Sequence, residues 1–173
     1  MKKHIKKIIL ILVVFIILCV CLWRLRPHSF ADILSADAST ISSFSCVVNI
    51  SGIDAEGVTF IDSYGLQAST EDGEKFSDVI GILDQTDYRQ SFQNLLPWAQ
   101  TAVSGGDNSE SANISLAWED AERESCFLVV FKNGKMVVGR GEDNVFSIYY
   151  ATDDAMLDKL VNYVQEYGIK MDE

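Results

Sequence analysis

The longest apolar run in the chain lies near its N-terminus. Residues 8–23 form sixteen consecutive positions without a charge, and Ile5 with the alkyl stems of Lys6 and Lys7 extends this run backwards. An α-helix of that length covers about 24 Å at 1.5 Å per residue, slightly less than the roughly 30 Å hydrocarbon core of a bilayer. Snorkelling basic side chains at both ends make up the difference. We therefore predict a transmembrane signal-anchor at 8–23.

Charged residues around this run predict its orientation. Four lysines precede it and two arginines follow it, which favours a cytoplasmic basic tail at 1–7 and puts everything after the run outside. A cleaved signal peptide is an alternative, although its nearest small-x-small site, Ser29–Ala31, lies well past the run. A lipoprotein is another, although leucine and valine rather than small residues precede Cys19 and Cys21. The anchor, the cleaved signal peptide and the lipoprotein all place the remaining chain outside the cytoplasm.

Alternation of apolar and polar side chains predicts short strands beyond a juxtamembrane segment at 24–43. Apolar side chains at every second position indicate strands that face a core on one side. The Asn133–Gly134 pair favours a tight type I′ hairpin between two apolar runs. Pro97 forces extended backbone before it, which assigns the preceding ambiguous stretch to a strand. The predicted strands are 44–50, 58–66, 88–96, 126–131, 136–138 and 146–150.

Apolar residues at helical spacing predict two amphipathic helices. The first covers 71–85, where four apolar side chains stand at i, i+3, i+4 and i+7 and Thr70 serves as the cap. The second begins after Thr152 and stops at Gly168. Together with the strands, these helices predict one α+β domain at 44–168, an antiparallel sheet of about six strands packed against two helices. Residues 169–173 are expected to be a C-terminal tail.

Composition adds a strong charge asymmetry. The chain has 25 acidic and 14 basic residues, and its first 26 residues hold six of the bases and no acid. The remainder therefore carries eight bases against 25 acids, a formal charge of −17. Because such a domain repels phosphate backbones, nucleic-acid binding is excluded, whereas cations and basic partner surfaces remain complementary to it.

The scarcity of histidine removes several classes of enzyme. His4 lies before the apolar run and His28 lies just after it, so the predicted domain contains no histidine. Ser-His-Asp catalysis, Cys-His catalysis and histidine-ligated zinc all need an imidazole. Glycine-rich nucleotide-binding motifs do not occur in the sequence either. We therefore expect no catalytic residue, no cofactor and no metal.

Cys46 and Cys126 are the cysteines outside the apolar run, and both fall in predicted strands. In an oxidising compartment they could form a disulfide across about 80 residues, worth roughly 4 kcal/mol by loop-entropy arithmetic. The alternative is two buried thiols that pack as small apolar side chains. The sequence leaves both alternatives open.

An acidic run and two tryptophans complete the candidate contact residues. Glu119–Glu124 lies between two apolar stretches and is more typical of a solvated hairpin tip than of a metal or acid/base site. Trp98 and Trp118 could each present an aromatic anchor to a partner. The alternative for each tryptophan is core filling beneath a loop.

The chain also resembles a group of known proteins in its overall arrangement. The resemblance rests on the lysine-rich start, the short apolar span, the Phe-x-Asp-Ile-Leu segment at 30–34, the hairpin and helix that follow, and the last helix with its tyrosine ending. In these features it resembles small single-pass, membrane-anchored extracytoplasmic proteins of low-GC Gram-positive bacteria, families of unknown function. The resemblance implies an extracytoplasmic bacterial protein and assigns no functional residue.

The expected function follows from the anchor and from the missing catalytic set. We expect a non-enzymatic binding or regulatory module at the cell membrane, with its C-terminal domain outside, that contacts a membrane or envelope protein. One alternative is a carboxylate-dependent hydrolase that acts on envelope glycans. Another is a structural accessory subunit of a membrane complex.

Overall fold

The structure is a computed structural model of the 173-residue chain, and it describes residues 2–24, 26–53, 55–95, 110–118, 125–140 and 145–171. Within them, the helices are α1 (Lys2–Arg24), α2 (Phe30–Leu34), α3 (Glu74–Asp84) and α4 (Met156–Tyr167). The strands are β1 (Pro27–His28), β2 (Ile41–Ile53), β3 (Thr59–Ser69), β4 (Tyr88–Gln90), β5 (Glu110–Trp118), β6 (Cys126–Phe131), β7 (Lys135–Arg140), β8 (Val145–Ala151) and β9 (Ile169–Met171).

Helix α1 contains the predicted apolar run. Its segment Ile5–Trp23 has 19 residues and a mean hydropathy of 3.0, and none of it is buried against the rest of the chain. By length and composition this helix is able to cross a membrane. It therefore agrees with the predicted span and begins three residues earlier.

The domain is built on one antiparallel sheet in the order β1-β4-β8-β7-β6-β5-β2-β3-β9. Helices α2, α3 and α4 cover one face of this sheet. Alternate side chains of the strands point toward the helices, so that Cys46, Ile114 and Leu128 lie in one row of the core and are at most 1% exposed. The core is continuous from the first short helix to the last.

Local sequence explains where the helices begin and end. Ser29 and Asp32 form a capping box at the start of α2, in which each backbone N–H donates to the other side chain at 3.1 Å. Gly168 ends α4 by donating its N–H to the carbonyl of Val164 at 2.9 Å. A Cβ at Gly168 would lie 2.7 Å from the carbonyl oxygen of Gly65 in β3, so glycine allows the close turn from α4 into β9.

Within the described residues the sheet has nine strands and not the predicted six or so. Strands β1 and β9 have two and three residues, which is too short for a recognisable alternation. Strand β5 was missed for another reason: its polar positions are serines and an asparagine, and it follows a run of glycines and serines that is typical of a loop.

The folded part of the chain also extends beyond 44–168. The segment expected to be juxtamembrane contains β1 and α2, and Phe30, Ile33 and Leu34 of α2 are at most 5% exposed in the core. The expected tail contains β9, which pairs with β3. In the described part of the chain, three helices therefore pack on the sheet and not the predicted two. Helix α2 was missed because a five-residue helix is too short to show a periodic stripe.

The predicted strand at 88–96 is shorter in the structure. Strand β4 ends at Gln90, and residues Phe92–Leu95 form a 3₁₀ turn. Asn94 fixes this turn: its side chain accepts from the N–H of Ile148 at 2.9 Å and donates to the carbonyl of Ile148 at 2.8 Å. The side-chain amide thus replaces the backbone partner that a longer β4 would have offered to β8.

Candidate functional site on the open face of the sheet

The face of the sheet opposite the helices, here called the open face, has two parts of different chemistry. On β3, β2 and β5 most of its side chains are uncharged hydroxyls and amides, and we call this part the polar half. On β6, β7 and β8 they are apolar, and Phe131, Val137 and Ile148 among them are buried in a small cluster separate from the main core. We call this part the apolar half. The polar half contains Ser43, Ser45, Asn49, Ser63, Gln67, Ser111, Asn113 and Ser115, and the apolar half contains Phe127, Val129, Phe131, Val137, Phe146 and Ile148.

Strand register aligns the polar residues in rows across three strands. In one row, Asn49 accepts a hydrogen bond from the hydroxyl of Ser63 at 2.8 Å and donates to the hydroxyl of Ser111 at 3.4 Å. These bonds connect β3, β2 and β5 and orient the asparagine. The row is therefore largely satisfied within the protein.

Another row of the same face, separated from the first by the row of Val47, keeps its hydrogen-bonding capacity for solvent or a ligand. Gln67, Ser45 and Ser115 stand opposite one another on β3, β2 and β5. Within the described part of the chain, their side chains make no hydrogen bond to another protein group. Gln67 and Ser115 are exposed and Ser45 is half-buried. Each offers both a donor and an acceptor without a formal charge.

Two shallow grooves meet on this row. The first, of about 490 Å³, is lined by five serines, Gln67 and Asp72 among others. The second, of about 510 Å³, runs toward β9 and is lined by Val47, Lys75 and Tyr167 among others. Both are lined by Ser45 and Gln67, so the two grooves adjoin at these residues. We use "the trough" for this combined surface.

Among the described residues that line the trough, Asp72 and Lys75 carry a charge. The backbone N–H and the hydroxyl of Ser69 donate to the Asp72 carboxylate at 2.7 and 3.0 Å, and these bonds hold the pKa of Asp72 below its usual value. Asp72 is the carboxylate that lines the first groove, and Lys75 is the charged residue that lines the second. Among the described residues, no three His, Cys, Asp or Glu side chains lie close enough to hold a metal ion.

An aromatic ring continues the polar row onto the apolar half. Phe127 stands opposite Ser115, and its ring contacts that of Phe146 edge-on with 5.6 Å between centroids. The Phe127 ring lies over Gly139, where a Cβ would collide with it. It is 36% exposed, whereas Val137 in the next row is 1% exposed. The open face therefore offers an accessible aromatic surface directly beside the Ser115 hydroxyl.

The two cysteines singled out by the sequence are not bonded to each other. Both are free and buried. Cys46 stands opposite Ile114 and Cys126 opposite Leu116, so β5 runs between them. Two strand spacings amount to about 9.6 Å, beyond the roughly 7 Å limit between Cα atoms of a disulfide. The geometry therefore favours two thiols that pack in the core over a bridge.

The burial of these thiols gives a first testable result. Burial raises the pKa of Cys46 to about 12 and that of Cys126 to about 11, so both stay protonated and poorly nucleophilic at neutral pH. We expect both to resist alkylation in the folded protein and to react after unfolding in urea without a reductant, measured by peptide mass spectrometry. A disulfide would instead keep both unreactive until a reductant is added.

Of the other candidate contact residues, Trp118 lies within the described part of the chain. Trp118 ends β5, stands opposite Ile41 and packs half-buried against the main core, which favours the core-filling alternative. Trp98 and the acidic run Glu119–Glu124 lie outside the described residues. The polar half was missed because β5 was not predicted, although Ala112, Ile114 and Leu116 do alternate with its polar residues.

The comparisons with known proteins add no relative. No protein-family model matches the chain, and neither the curated proteins nor the solved structures contain a match.

Proposed function

We propose that this protein is a membrane-anchored extracytoplasmic binding module, and that its trough binds an uncharged, hydroxyl-rich polymer of the cell envelope, a neutral glycan. The row formed by Gln67, Ser45 and Ser115 carries this proposal, because three uncharged side chains with free donors and acceptors line up across three strands. Such side chains match the alternating donors and acceptors of sugar hydroxyls.

The anchor supports the location. Helix α1 is able to cross a membrane, and its preceding lysines favour an N-terminus in the cytoplasm. Only residues 25 and 26 separate α1 from β1, so the domain is held close to the outer surface of the membrane. Envelope polymers are the ligands that such a position makes available.

Charge supports a neutral ligand over an anionic one. Residues 27–173 carry a formal charge of −17, which repels anionic polymers at long range. Of the described residues that line the trough, Asp72 and Lys75 are charged, whereas Ser45 and Gln67, which the two grooves share, are uncharged. Phe127 beside Ser115 adds an apolar surface on which the carbon face of a sugar ring can pack.

The hydrolase alternative finds less support on this face. Glycoside hydrolysis needs two carboxylates about 5–9.5 Å apart across the scissile bond. Of the described residues that line the two grooves, Asp72 is the carboxylate, and its oxygens already accept from Ser69. Binding without turnover is therefore the function that the trough supports best.

A matched pair of substitutions tests the proposal. Gln67→Glu changes the trough by one charge without changing its shape, and Gln165→Glu makes the same change at an exposed position of α4. We expect full-length protein in detergent micelles to co-sediment with insoluble cell-wall glycan stripped of anionic polymers. Gln67→Glu should weaken this binding about tenfold, in line with the cost of an unmatched polar group, and Gln165→Glu should not change it.

The proposal has two contrary outcomes. Equal retention of the two variants on the glycan would place binding elsewhere on the domain. Release of soluble sugar from the glycan by the wild-type protein would instead support the hydrolase alternative, and replacement of the acids at 119–124 would then identify the carboxylates.

A further inference from the structure

The hairpin between β2 and β3 extends beyond the rest of the sheet. Strand β5 pairs with β2 no further than Ile50, and β9 pairs with β3 no further than Ser63. Past these points, the described residues from Ser51 to Ile61 pair only with each other. We call this segment the hairpin tip.

The hairpin tip exposes apolar side chains where charged ones are expected. Ile53 is 73% exposed, Val58 58%, Phe60 43% and Ile61 60%. A projecting hairpin in water is usually blunted by polar or charged residues, because its apolar side chains gain nothing there. Four such side chains in eleven residues indicate that the tip has a nonaqueous neighbour.

The distribution of these side chains distinguishes between kinds of neighbour. Ile53 and Ile61 point to the open-face side of the hairpin, whereas Phe60 lies on the helix side, over Gly52. A protein partner that docks on one side of a hairpin leaves the other side exposed to solvent. A lipid layer surrounds an inserted tip on both sides, so apolar residues on both sides favour lipid.

The chain also keeps the domain that carries the hairpin tip near a bilayer. Arg24 at the end of α1 is three residues from Pro27, or about 10 Å of chain at most. Contact between the tip and the same bilayer is therefore intramolecular, and a weak interaction is enough to hold it.

With the usual twist of a β-sheet, we expect the topology to bring the hairpin tip back toward the anchor. Strand β2 lies six places from β1, and an even number of antiparallel steps gives both strands the same sense in a flat sheet. The usual twist of about 20–25° per strand adds up to roughly 120–150° over six steps. The far end of β2 thus turns toward the side of the sheet on which β1 begins.

From these observations we infer that the hairpin tip inserts into the outer leaflet beside the anchor, so that the domain rests on the membrane at two points. The insertion is interfacial, on the order of 5–10 Å deep, as for other amphipathic segments. It rests on the anchoring part of the proposed function and not on the glycan. Two attachments fix the orientation of the open face relative to the membrane, whereas attachment through α1 alone would let the domain rotate.

The charges near the tip specify the lipid. Glu56 lies in the turn and Asp62 lies just below it, where it pairs with Lys170 at 2.8 Å. An acidic tip is repelled by an anionic surface, so zwitterionic headgroups favour insertion and anionic ones oppose it.

A tryptophan placed at the tip tests this inference. Full-length Ile53→Trp is reconstituted in phosphatidylcholine vesicles, with and without phosphatidylcholine brominated near the headgroup, and wild-type emission is subtracted. We expect a blue-shifted difference emission that the brominated lipid quenches about twofold, because an interfacial indole contacts the brominated segment. Asn162→Trp, at an exposed position of α4, is the matched control and should show neither change.

Two further samples test whether insertion of the hairpin tip into lipid causes the quenching. Adding Ile61→Asp to Ile53→Trp should abolish the quenching while the circular dichroism spectrum stays unchanged. Replacing half of the phosphatidylcholine with phosphatidylglycerol should reduce the quenching of Ile53→Trp.

Two outcomes would overturn the inference. The first is an unquenched, unshifted Ile53→Trp emission in protein that floats with the vesicles, because flotation shows that the anchor is inserted. The second is a blue shift without quenching that appears only as the protein-to-lipid ratio is raised, because a second copy of the chain would then cover the tip and shield the indole from the brominated lipid.

Discussion

Ile114→Ala is expected to lower the free energy of unfolding by about 3 kcal/mol, the usual cost of removing a large aliphatic side chain from a packed core. Ile114 is 1% exposed, and its two strand neighbours in the same row are Cys46 and Leu128, both fully buried. Strand β5 therefore contributes side chains to the middle of the core. Chemical denaturation of the full-length protein in a mild detergent, followed by circular dichroism, measures the change.

The adjacent residue is a stringent control for this prediction. Ser115 is next in sequence but lies on the open face, where it is exposed, so Ser115→Ala should change the free energy of unfolding by about 0.5 kcal/mol at most. A one-residue shift in the register of β5 would exchange the two results. Equal effects of the two substitutions would mean that β5 does not separate a core face from an open face.

Much of the fold was predictable where a pattern was long enough to repeat. The strands at 126–131 and 136–138 were confirmed as β6 and β7. The type I′ turn predicted between them was wrong, because such a turn needs positive φ at both Asn133 and Gly134, and of these two only Gly134 has it, at 74°. The helix predicted at 71–85 is α3 at Glu74–Asp84, preceded by a 3₁₀ turn. In these segments local and tertiary preferences agree.

The sheet's width was not predictable because its outer strands have almost no local signal. Strands β1 and β9 exist because β4 and β3 offer them edges to pair with, and two or three residues cannot show a period. Helix α2 is also determined by tertiary contacts, since its three buried residues need the core to bury them.

The candidate site was the least predictable part, for a physical reason. Its key residues, Gln67, Ser45 and Ser115, are far apart in sequence and belong to types that are common in loops. Only strand register brings them into one row. The features that the sequence did mark, such as Cys46 and Trp118, are chemically distinctive, but the fold uses them as core.

Two arginines in the middle of α1 are expected to abolish membrane attachment. Val13 and Val14 lie near the centre of the apolar segment Ile5–Trp23. An arginine at the centre of a membrane-spanning helix costs about 2.5–3.5 kcal/mol on the insertion scale, so replacing both valines costs roughly 6 kcal/mol. The measurement is the fraction of protein that stays with membranes after alkaline carbonate extraction, and it should fall from nearly all to nearly none.

The control for this prediction replaces the same two valines with leucine, which keeps the segment apolar and should leave all of the protein in the membrane fraction. Protease added to intact cells should digest the domain of the leucine variant, because the lysines before α1 favour a cytoplasmic N-terminus. Release of the wild-type protein by carbonate, with a new N-terminus near Ala31, would show that the apolar segment is a cleaved signal peptide. The second attachment through the hairpin tip would then have no anchor to cooperate with.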